Sequence, residues 1–311
     1  MIDTLLRDTA TAEASAATAP VPPDVGETGR VLYLQREHDH RHSLLPSPFR
    51  VAQALLGDPH PYESEQHVLN QLWDVVPVPG ELALAPYRCH GRVVRYLAAQ
   101  AGHRRFVLAD LTVPPPSLTP LHAEVHRYTG DATTVYVGSD PMALTHARAL
   151  LAEPCVAVED GNVLDPDTAM TAAAEHLDLS LPVVVQLGTA ISHCNDRTAT
   201  AMLTRYAHLL APGSVVIVSA YTAPAAGPRA RIARAVADIH HRHGLGPIRF
   251  RPIAALDNLL PGNMIPLPSG PGRAPGGFVS CDRWWPTGPR IDSGPVSPAA
   301  GMVATVAVTI P

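Results

Sequence analysis

Three continuous apolar runs, each of strand length, dominate the second half of the chain. They read CVAV at 155–158, LPVVVQL at 181–187 and SVVIVSA at 214–220. Apolar runs of this length are typical of strands that are covered on both faces, as in a parallel sheet. Segments with apolar residues at helical spacing lie between them. The alternation predicts an α/β domain with helices on both faces of a mostly parallel sheet.

Further segments on both sides of these runs complete the alternation. Strands are predicted near 105–109, 133–137, 154–158, 182–187 and 214–219, with helices near 118–128, 141–151, 166–177 and 195–210. The chain ends on the β-rich run MVATVAVTI (302–310), which follows a Pro/Gly-rich region (261–300). This ending predicts a final antiparallel hairpin at the edge of the sheet.

The residues that precede the sheet have a different character. Three segments between 48 and 101 carry apolar residues at helical spacing: RVAQALLG, SEQHVLNQLWDVV and GRVVRYLAAQAG. Residues 1–29 are rich in Ala, Thr and Pro and show no apolar period, which predicts a disordered arm. The expected organisation is an arm (1–29), a helical cap (30–102) and a sheet domain (103–311).

Composition excludes several classes of chemistry and partner. The chain has no lysine, and all 23 of its basic residues are arginine. Schiff-base chemistry and a Walker-type phosphate loop both require an amine, so both are excluded. A net charge of −5 without a basic block argues against nucleic acid or an anionic membrane as a partner. No apolar run reaches the length of a membrane span and no signal segment is evident, so a cytoplasmic location is expected.

The four cysteines are widely separated in the sequence. They are Cys89, Cys155, Cys194 and Cys281, and no C-x-x-C pair occurs. This spacing predicts reduced thiols rather than a disulfide framework or a zinc site.

The stretch FVLADLTVPPPS (106–117) lies where an α/β fold carries its cofactor loop. It begins as a buried strand and then runs into three prolines without any glycine. Proline removes backbone amide donors, and a residue with a Cβ hinders the close approach of a ligand to the backbone. The glycine loop of an ordinary nucleotide-binding fold is therefore missing.

Four stretches resemble an actinobacterial family of SAM-dependent methyltransferase-like proteins, once classed as a domain of unknown function. They are FRVAQALLGDPHPYESEQHVL (49–69), GRVVRYLAAQAGHRRFV (91–107), TTVYVGSDPMALTHARALL (133–151) and LDLSLPVVVQLGTAISHCND (177–196). The resemblance implies a Rossmann-like class I methyltransferase fold. Such a fold has a mostly parallel seven-stranded sheet with a C-terminal antiparallel hairpin, here with an N-terminal helical cap.

The resemblance also implies a cofactor site, which this sequence has altered. In the family, glycines in the turn after the first strand let the backbone approach the methionyl part of SAM, and Asp110 and Thr112 hold those positions here. The acid that ends the second strand accepts hydrogen bonds from the ribose. It is replaced by Gly138, although Asp140 follows.

The third part of the cofactor site is an acidic pair that reads the adenine amine. One of its acids is kept as Asp160, and the other is the amide Asn162. The degenerate site is expected to persist as a pocket lined by Asp110, Gly138, Asp140, Asp160 and Asn162. These losses predict no useful affinity for SAM. The protein is therefore expected to use no cofactor and no metal ion. The alternative is that it uses SAM.

Three residues are candidates for acid–base chemistry: His193, Asp58 and Tyr62. His193 lies in the loop LGTAISHCND after the fourth strand, and an imidazole titrates near neutrality. Its alternative role is in the start of the next helix, where Asn195 is the expected N-cap residue. Asp58 and Tyr62 lie in LLGDPHPYESE, which resembles a segment at the family's active-site mouth. The same segment reads equally as a turn between helices, since Asp-Pro and His-Pro favour one.

Two further clusters have alternative interpretations. The tryptophans of DRWWP (282–286) could form a lid or an interface within 261–300, or could pack against the edge of the sheet. His38, His40 and His42 alternate, so a strand would place them on one face. They could bind a metal ion or form an exposed polar segment.

Three functions are compatible with these features. The altered motifs favour a SAM-independent enzyme of small-molecule (specialised metabolite) biosynthesis, catalysing a cyclisation, elimination or isomerisation, or a non-catalytic partner of a pathway enzyme. The alternative is an active SAM-dependent small-molecule methyltransferase with an atypical cofactor loop. The expected partner is a small-molecule substrate or a biosynthetic enzyme, and an oligomer could form through 261–300.

Overall fold

The computed structural model describes most of the chain after residue 44. The described residues are 45–109, 111–151, 153–270, 276–285 and 301–310, with the backbone alone at 302 and 303. The predicted arm, Asp110 and the histidines at 38, 40 and 42 lie outside the described residues.

Eight strands form one sheet within the described residues. They are β1 Arg105–Leu108, β2 Thr133–Gly138, β3 Val156–Asp160, β4 Val184–Gln186, β5 Val215–Tyr221, β6 Met264–Pro266, β7 Val279–Ser280 and β8 Met302–Thr309.

Helices precede the sheet and connect its strands. They are α1 Pro48–Leu55, α2 Glu63–Val75, α3 Glu81–Ala99, α4 Leu121–His126, α5 Pro141–Leu150, α6 Pro166–Ala174, α7 Asp196–Leu209, α8 Pro228–Arg242 and α9 Ile253–Asp257. Short 3₁₀ helices lie at Ala190–His193 and Cys281–Arg283.

The strand order is β3-β2-β1-β4-β5-β8-β6, and β7 also pairs with β8. The first five strands of this order are parallel to one another, whereas β8 runs antiparallel to β5, β6 and β7. The predicted parallel sheet with an antiparallel C-terminal edge is confirmed, with the short β7 as an addition. The order reverses between β1 and β4, which is where ligands of such sheets bind.

Both faces of the central strands are buried, as the continuous apolar runs predict. Val107 of β1 and Val185 of β4 belong to the apolar core on one face. Phe106 and Leu108 of β1 belong to the core on the other face, together with Val184. Successive side chains of a strand point to opposite faces. A strand that is buried on both faces therefore does not alternate between apolar and polar residues.

The first two helices pack against a helix of the sheet domain. Val68 and Leu72 of α2 share an apolar core with Val236 and Ile239 of α8. A buried ion pair joins α1 to α2, since Arg50 Nη2 lies 2.8 Å from Glu65 Oε1. These contacts hold the predicted helical cap over one end of the sheet.

Trp284 lies in the core. Its side chain is 1% exposed, and its ring meets that of Tyr96 edge to face. Arg92 of α3 stacks on Trp285, with 4.5 Å from the guanidinium carbon to the ring centroid. A lid, an interface and packing against the edge of the sheet were the three predicted roles of these tryptophans. Trp284 has a packing role, since it shares an apolar core with Ala304 and Val306 of β8. The predicted oligomer contact through 261–300 stays a prediction, and Trp284 has no exposed surface to contribute to it.

None of the helices in the described part of the chain is long and apolar enough to cross a membrane.

Candidate functional site

A cavity of about 330 Å³ lies at the carboxyl ends of the parallel strands. On the sheet side it is lined by residues that end or follow β1, β2 and β4, namely Ala109, Gly138 and Gly188. On the other side it is lined by apolar residues of α1, α2, α3 and α8. The volume falls within the range of small-molecule sites, and the position is where open α/β sheets bind ligands.

Leu111, in the altered cofactor loop, packs away from this cavity. Leu111 is 0% exposed and belongs to the core rather than to the cavity wall. A Cβ built on Gly138 would lie 2.3 Å from Leu111 Cδ1. The glycine at 138 therefore provides the space that Leu111 occupies. Two departures from the family pattern, at the first loop and at the end of β2, depend on each other sterically.

The three prolines that follow do not fill the cavity. None of residues 114–116 lines it, and Pro115 Cγ lies 3.9 Å from the Cβ position of Gly57. The crevice at the strand ends therefore exists as a pocket, with the 188–193 loop in its wall and helix α1 across it.

The predicted cofactor residues are divided between the cavity and its surroundings. Gly138 and Asn162 line the cavity. Asp140 instead caps α5, since its Oδ1 accepts a hydrogen bond from the Ala143 amide at 2.9 Å, and it lies 3.7 Å from Arg50 Nη1. Asp160 is exposed at the end of β3 and does not line the cavity. Asp110 lies outside the described residues.

Asn162 holds the turn that follows β3. Its Oδ1 accepts a hydrogen bond from the Leu164 amide at 3.0 Å, so an oxygen of the side chain is used within the turn. The side chain nevertheless lines the cavity together with Ser139 at the end of β2. These two residues are therefore the polar groups that the ends of β2 and β3 offer a ligand.

His193 lies at the opposite end of the cavity, in the 3₁₀ helix after β4. Its Nδ1 is 3.2 Å from the Pro247 carbonyl oxygen, which can only accept, so Nδ1 carries the proton of the neutral ring. Nε2 is then the basic nitrogen, and the Thr189 hydroxyl lies 3.4 Å from it. Burial lowers the pKa of His193 below the ordinary 6.5. The ring is therefore a neutral base at physiological pH.

Asp58 and Tyr62 do not join His193. The carboxylate of Asp58 accepts hydrogen bonds from Gln53 Nε2 at 2.7 Å and from the His60 amide at 2.9 Å, as a turn residue would. Tyr62 precedes α2, and its ring centroid lies 5.6 Å from the guanidinium carbon of Arg50. Neither residue lines the cavity. The segment that contains Asp58 and Tyr62 is a turn between helices α1 and α2, which is the alternative interpretation of its sequence.

A second histidine near His193 was not among the sequence candidates. His240 of α8 lines the cavity, and its ring centroid is 6.5 Å from that of His193. Burial, followed by the neighbouring histidines, lowers its pKa to about 4. The sequence HHRH (240–243) shows only a run of histidines at a helix end, and nothing in it indicates that His240 is the buried one.

A third histidine and a glutamine were also missed. His90 of α3 lines the cavity, and its Nδ1 lies 2.9 Å from Nε2 of Gln186, the last residue of β4. Both side chains are fully buried, and burial lowers the pKa of His90 to about 3. Gln186 is the one polar residue in the apolar run LPVVVQL, and this feature of the sequence could have indicated it.

No charged side chain lines the cavity among the described residues. The lining set contains no Asp, Glu or Arg, and its histidines are His90, His193 and His240. All three have a lowered pKa caused first by burial, so they are neutral at physiological pH. Across the described ranges, no group of three His, Cys, Asp or Glu side chains could hold a metal ion.

The sheet order, the crevice between β1 and β4 and the helical cap together define a methyltransferase-like α/β fold. The chain belongs to the S-adenosyl methyltransferase family, whose model matches residues 35–309.

Two solved structures have the same fold over nearly their whole length. A protein from Thermobifida fusca, classed as a candidate methyltransferase, is 25% identical and superposes with a TM-score of 0.73, over 86% of this chain and 96% of that one. A DUF574 family protein from Streptomyces avermitilis is 23% identical, with a TM-score of 0.71, over 84% of this chain and 96% of that one. No curated protein sequence matches the chain.

The prediction that the protein uses no cofactor is wrong. The chain belongs to the family of the S-adenosyl methyltransferases, which points to SAM rather than to the absence of a cofactor. The physical reason lies in the loop after β1. Its substitutions were interpreted one by one as losses, whereas Leu111 packs into the space at Gly138 and the crevice stays open.

Proposed function

We propose that this protein is a SAM-dependent methyltransferase that methylates a hydroxyl group of an uncharged, largely apolar small molecule. One observation supports this most strongly. A single cavity of about 330 Å³ joins the strand ends where the family's cofactor binds to an apolar chamber that contains a neutral histidine base. A role in small-molecule biosynthesis is part of this proposal.

The residues at the sheet end of the cavity fit SAM. Gly188 adopts φ of 54°, which favours glycine, and a Cβ there would lie 3.9 Å from the Ala109 carbonyl oxygen. The backbone of Gly188 and the carbonyl of Ala109 therefore lie close to each other where β4 and β1 end. Ser139 and Asn162 are the polar groups for the adenosine part. When bound, SAM supplies an electrophilic methyl group.

The other end of the cavity fits an apolar acceptor. Its wall consists of side chains such as Phe49 of α1, Leu72 of α2 and Val236 of α8. A charged acceptor would have to leave water without gaining a charged partner among the described lining residues, which is costly. The chamber therefore selects an uncharged molecule.

His193 is the residue that acts on the acceptor. With its proton on Nδ1, held by the Pro247 carbonyl, the lone pair of Nε2 can take the proton of an acceptor hydroxyl. The oxygen becomes a better nucleophile as that proton leaves. Thr189, at 3.4 Å from Nε2, keeps the ring oriented until a hydroxyl replaces it.

The cap contributes by excluding water from the chamber. Helices α1 and α2 close over the cavity and are fixed to each other by the buried pair Arg50–Glu65. Water would compete with the acceptor for both His193 and the cofactor, so a closed apolar chamber favours transfer to the bound hydroxyl.

Calorimetric titration with SAM and with its product S-adenosylhomocysteine (SAH) tests the proposal. The wild-type protein should bind both at a 1:1 ratio. Ser139→Trp should abolish binding because an indole at this exposed lining position would fill the adenosine end. Thr145→Trp, at an exposed position of α5 outside the cavity, is the matched control and should bind as the wild type does. Absence of binding to the wild-type protein would overturn the proposed function.

A further inference from the structure

His240 of α8 presents a ring nitrogen to the chamber that contains His193. Its ring lines the cavity, and its centroid lies 6.5 Å from that of His193. Nδ1 of His240 is enclosed and has no hydrogen-bond partner among the described residues. Nε2 is not enclosed, and none of the described residues forms a hydrogen bond with it. A molecule bound in the cavity therefore meets His240 through Nε2.

The proton of the His240 ring lies on this open nitrogen. Burial, followed by the neighbouring His193 and His243, lowers the pKa of His240 to about 4, so the ring is neutral and has one N–H and one lone pair. In proteins, enclosed N–H groups without an acceptor are rarer than enclosed acceptor atoms without a donor. The lone pair is therefore on the enclosed Nδ1, and Nε2 donates into the chamber.

His193 and His240 thus present complementary groups to one bound molecule. His193 donates from Nδ1 to the Pro247 carbonyl, so its Nε2 offers a lone pair, whereas His240 offers an N–H. Because the ring centroids are 6.5 Å apart, hydrogen bonds of about 2.9 Å from both rings can end on two oxygens of one small molecule. The chamber has an acceptor for a hydroxyl and a donor for a second oxygen.

The donor suits a second oxygen better than the reacting one. In methyl transfer the oxygen of the reacting hydroxyl attacks with a lone pair while His193 takes its proton. A hydrogen bond from His240 to the same oxygen would stabilise its lone pairs and make it a weaker nucleophile. A hydrogen bond to a neighbouring oxygen orients the acceptor molecule and leaves the nucleophile unchanged. It also satisfies a donor that otherwise faces apolar walls.

We propose that His240 selects acceptor molecules in which the carbon next to the one that bears the reacting hydroxyl carries a second, uncharged oxygen. The Nε2–H of His240 donates to this second oxygen, while Nε2 of His193 accepts from the hydroxyl. The inference rests on the proposed function, because it requires a hydroxyl to be methylated in this chamber. The role of His240 is binding and orientation, and no proton passes through its ring.

The test compares two isomers that differ only in the position of the second oxygen. 2-Methoxyphenol carries it on the carbon next to the hydroxyl-bearing carbon, and 4-methoxyphenol carries it across the ring. NMR titrations of the SAH-saturated protein measure the affinity for each. His240→Phe keeps an aromatic ring without nitrogen, and His240→Gln places an amide N–H near the position of Nε2 as the rescue. His241→Phe, at an exposed position of the same helix outside the cavity wall, is the matched control.

We expect the wild-type protein to bind 2-methoxyphenol about three- to tenfold more tightly than 4-methoxyphenol, the range for one neutral hydrogen bond. His240→Phe should lose this preference because 2-methoxyphenol binds more weakly, whereas the affinity for 4-methoxyphenol should stay within about twofold of wild type. His240→Gln should recover most of the preference, and His241→Phe should keep it. Thermal denaturation of each variant confirms folding.

The outcomes separate this inference from the proposed function. If the wild-type protein binds neither SAM nor SAH, the proposed function fails and the inference falls with it. If SAH binds but the wild type binds neither phenol, or binds both equally well, the inference alone is overturned. An unchanged preference in His240→Phe overturns it too, because another group would then hold the second oxygen. An equal loss of affinity for both isomers would show that the ring only packs, with the same consequence.

Discussion

Leu111 occupies the space that a side chain at position 138 would need. The Cβ of any residue other than glycine at 138 would lie 2.3 Å from Leu111 Cδ1 and 2.5 Å from its Cγ. The ribose-binding acid of the family and a buried leucine at 111 are therefore mutually exclusive in this packing. This chain has leucine at 111 and glycine at 138.

Gly138→Ala should destabilise the protein by about 1–3 kcal/mol, the usual cost of overpacking a core. The cause is steric, since Gly138 is not among the residues with positive φ. Urea denaturation measures the change. In a Leu111→Ala background the same substitution should cost much less, because the atoms in its way are gone. Equal costs in both backgrounds would show that Leu111 is not the obstacle.

Stability should fall as the pH drops below about 6.5, because His90 and His240 are buried neutral. Their pKa values are about 3 and about 4 in the folded chain, against 6.5 when exposed. In the range between, the unfolded chain binds protons that the folded chain does not. The free energy of unfolding therefore decreases towards acid by up to about 1.4 kcal/mol per pH unit for each ring.

Replacing one of these histidines should flatten that dependence. His240→Leu is expected to reduce the slope between about pH 6 and pH 4 by up to about 1.4 kcal/mol per pH unit. Urea titrations at several pH values measure it. His208→Leu, at an exposed position of α7, controls for the loss of a histidine as such. An unchanged slope in His240→Leu would mean that this ring is protonated in the folded protein.

Arg50→Met should destabilise the cap by about 3–5 kcal/mol, the range for breaking a buried ion pair. Glu65 is 0% exposed, and its carboxylate would lose the guanidinium that lies 2.8 Å away. The double variant Arg50→Met/Glu65→Met should be more stable than the single one, because the fully buried carboxylate of Glu65 is no longer left without its partner. If Arg50→Met is as stable as the wild type, the Arg50–Glu65 pair is in contact with water and the prediction is wrong.

His193→Asn should lower the rate of methyl transfer about 10²- to 10⁴-fold, the contribution typical of a general base. SAH affinity should not change, since the ring serves the acceptor. Burial lowers the pKa of His193, so the wild-type rate should be flat through neutrality and fall only below about pH 6.5. A rate that is insensitive to the substitution would remove His193 from the reaction. Product analysis by mass spectrometry with uncharged phenols as acceptors gives the rates.

The sheet could be predicted from the sequence because burial on both faces leaves a visible pattern. LPVVVQL and SVVIVSA became β4 and β5, and the terminal run became the antiparallel β8. The short β7 could not be seen, since two residues carry no periodicity. The boundaries of the arm and the cap remain predictions.

The site could be predicted only where its residues follow strand ends in the sequence. His193 and Asn162, which follow β4 and β3 in the sequence, both line the cavity. His90 and His240 face it from helices that are distant in the sequence, and only tertiary packing brings them there. The loop after β1 was misinterpreted for the same reason. Leu111 and Gly138 follow or end different strands, and the contact between them is visible only in the folded chain.

The most direct test of the central claim is an experimental structure of the protein with SAH. The account predicts SAH in the cavity of about 330 Å³ at the ends of β1 and β4, with its adenosine beside Ser139 and Asn162 and its sulfur directed towards the chamber of His193. A cavity that stays empty at saturating SAH, or SAH bound elsewhere on the chain, would contradict the account.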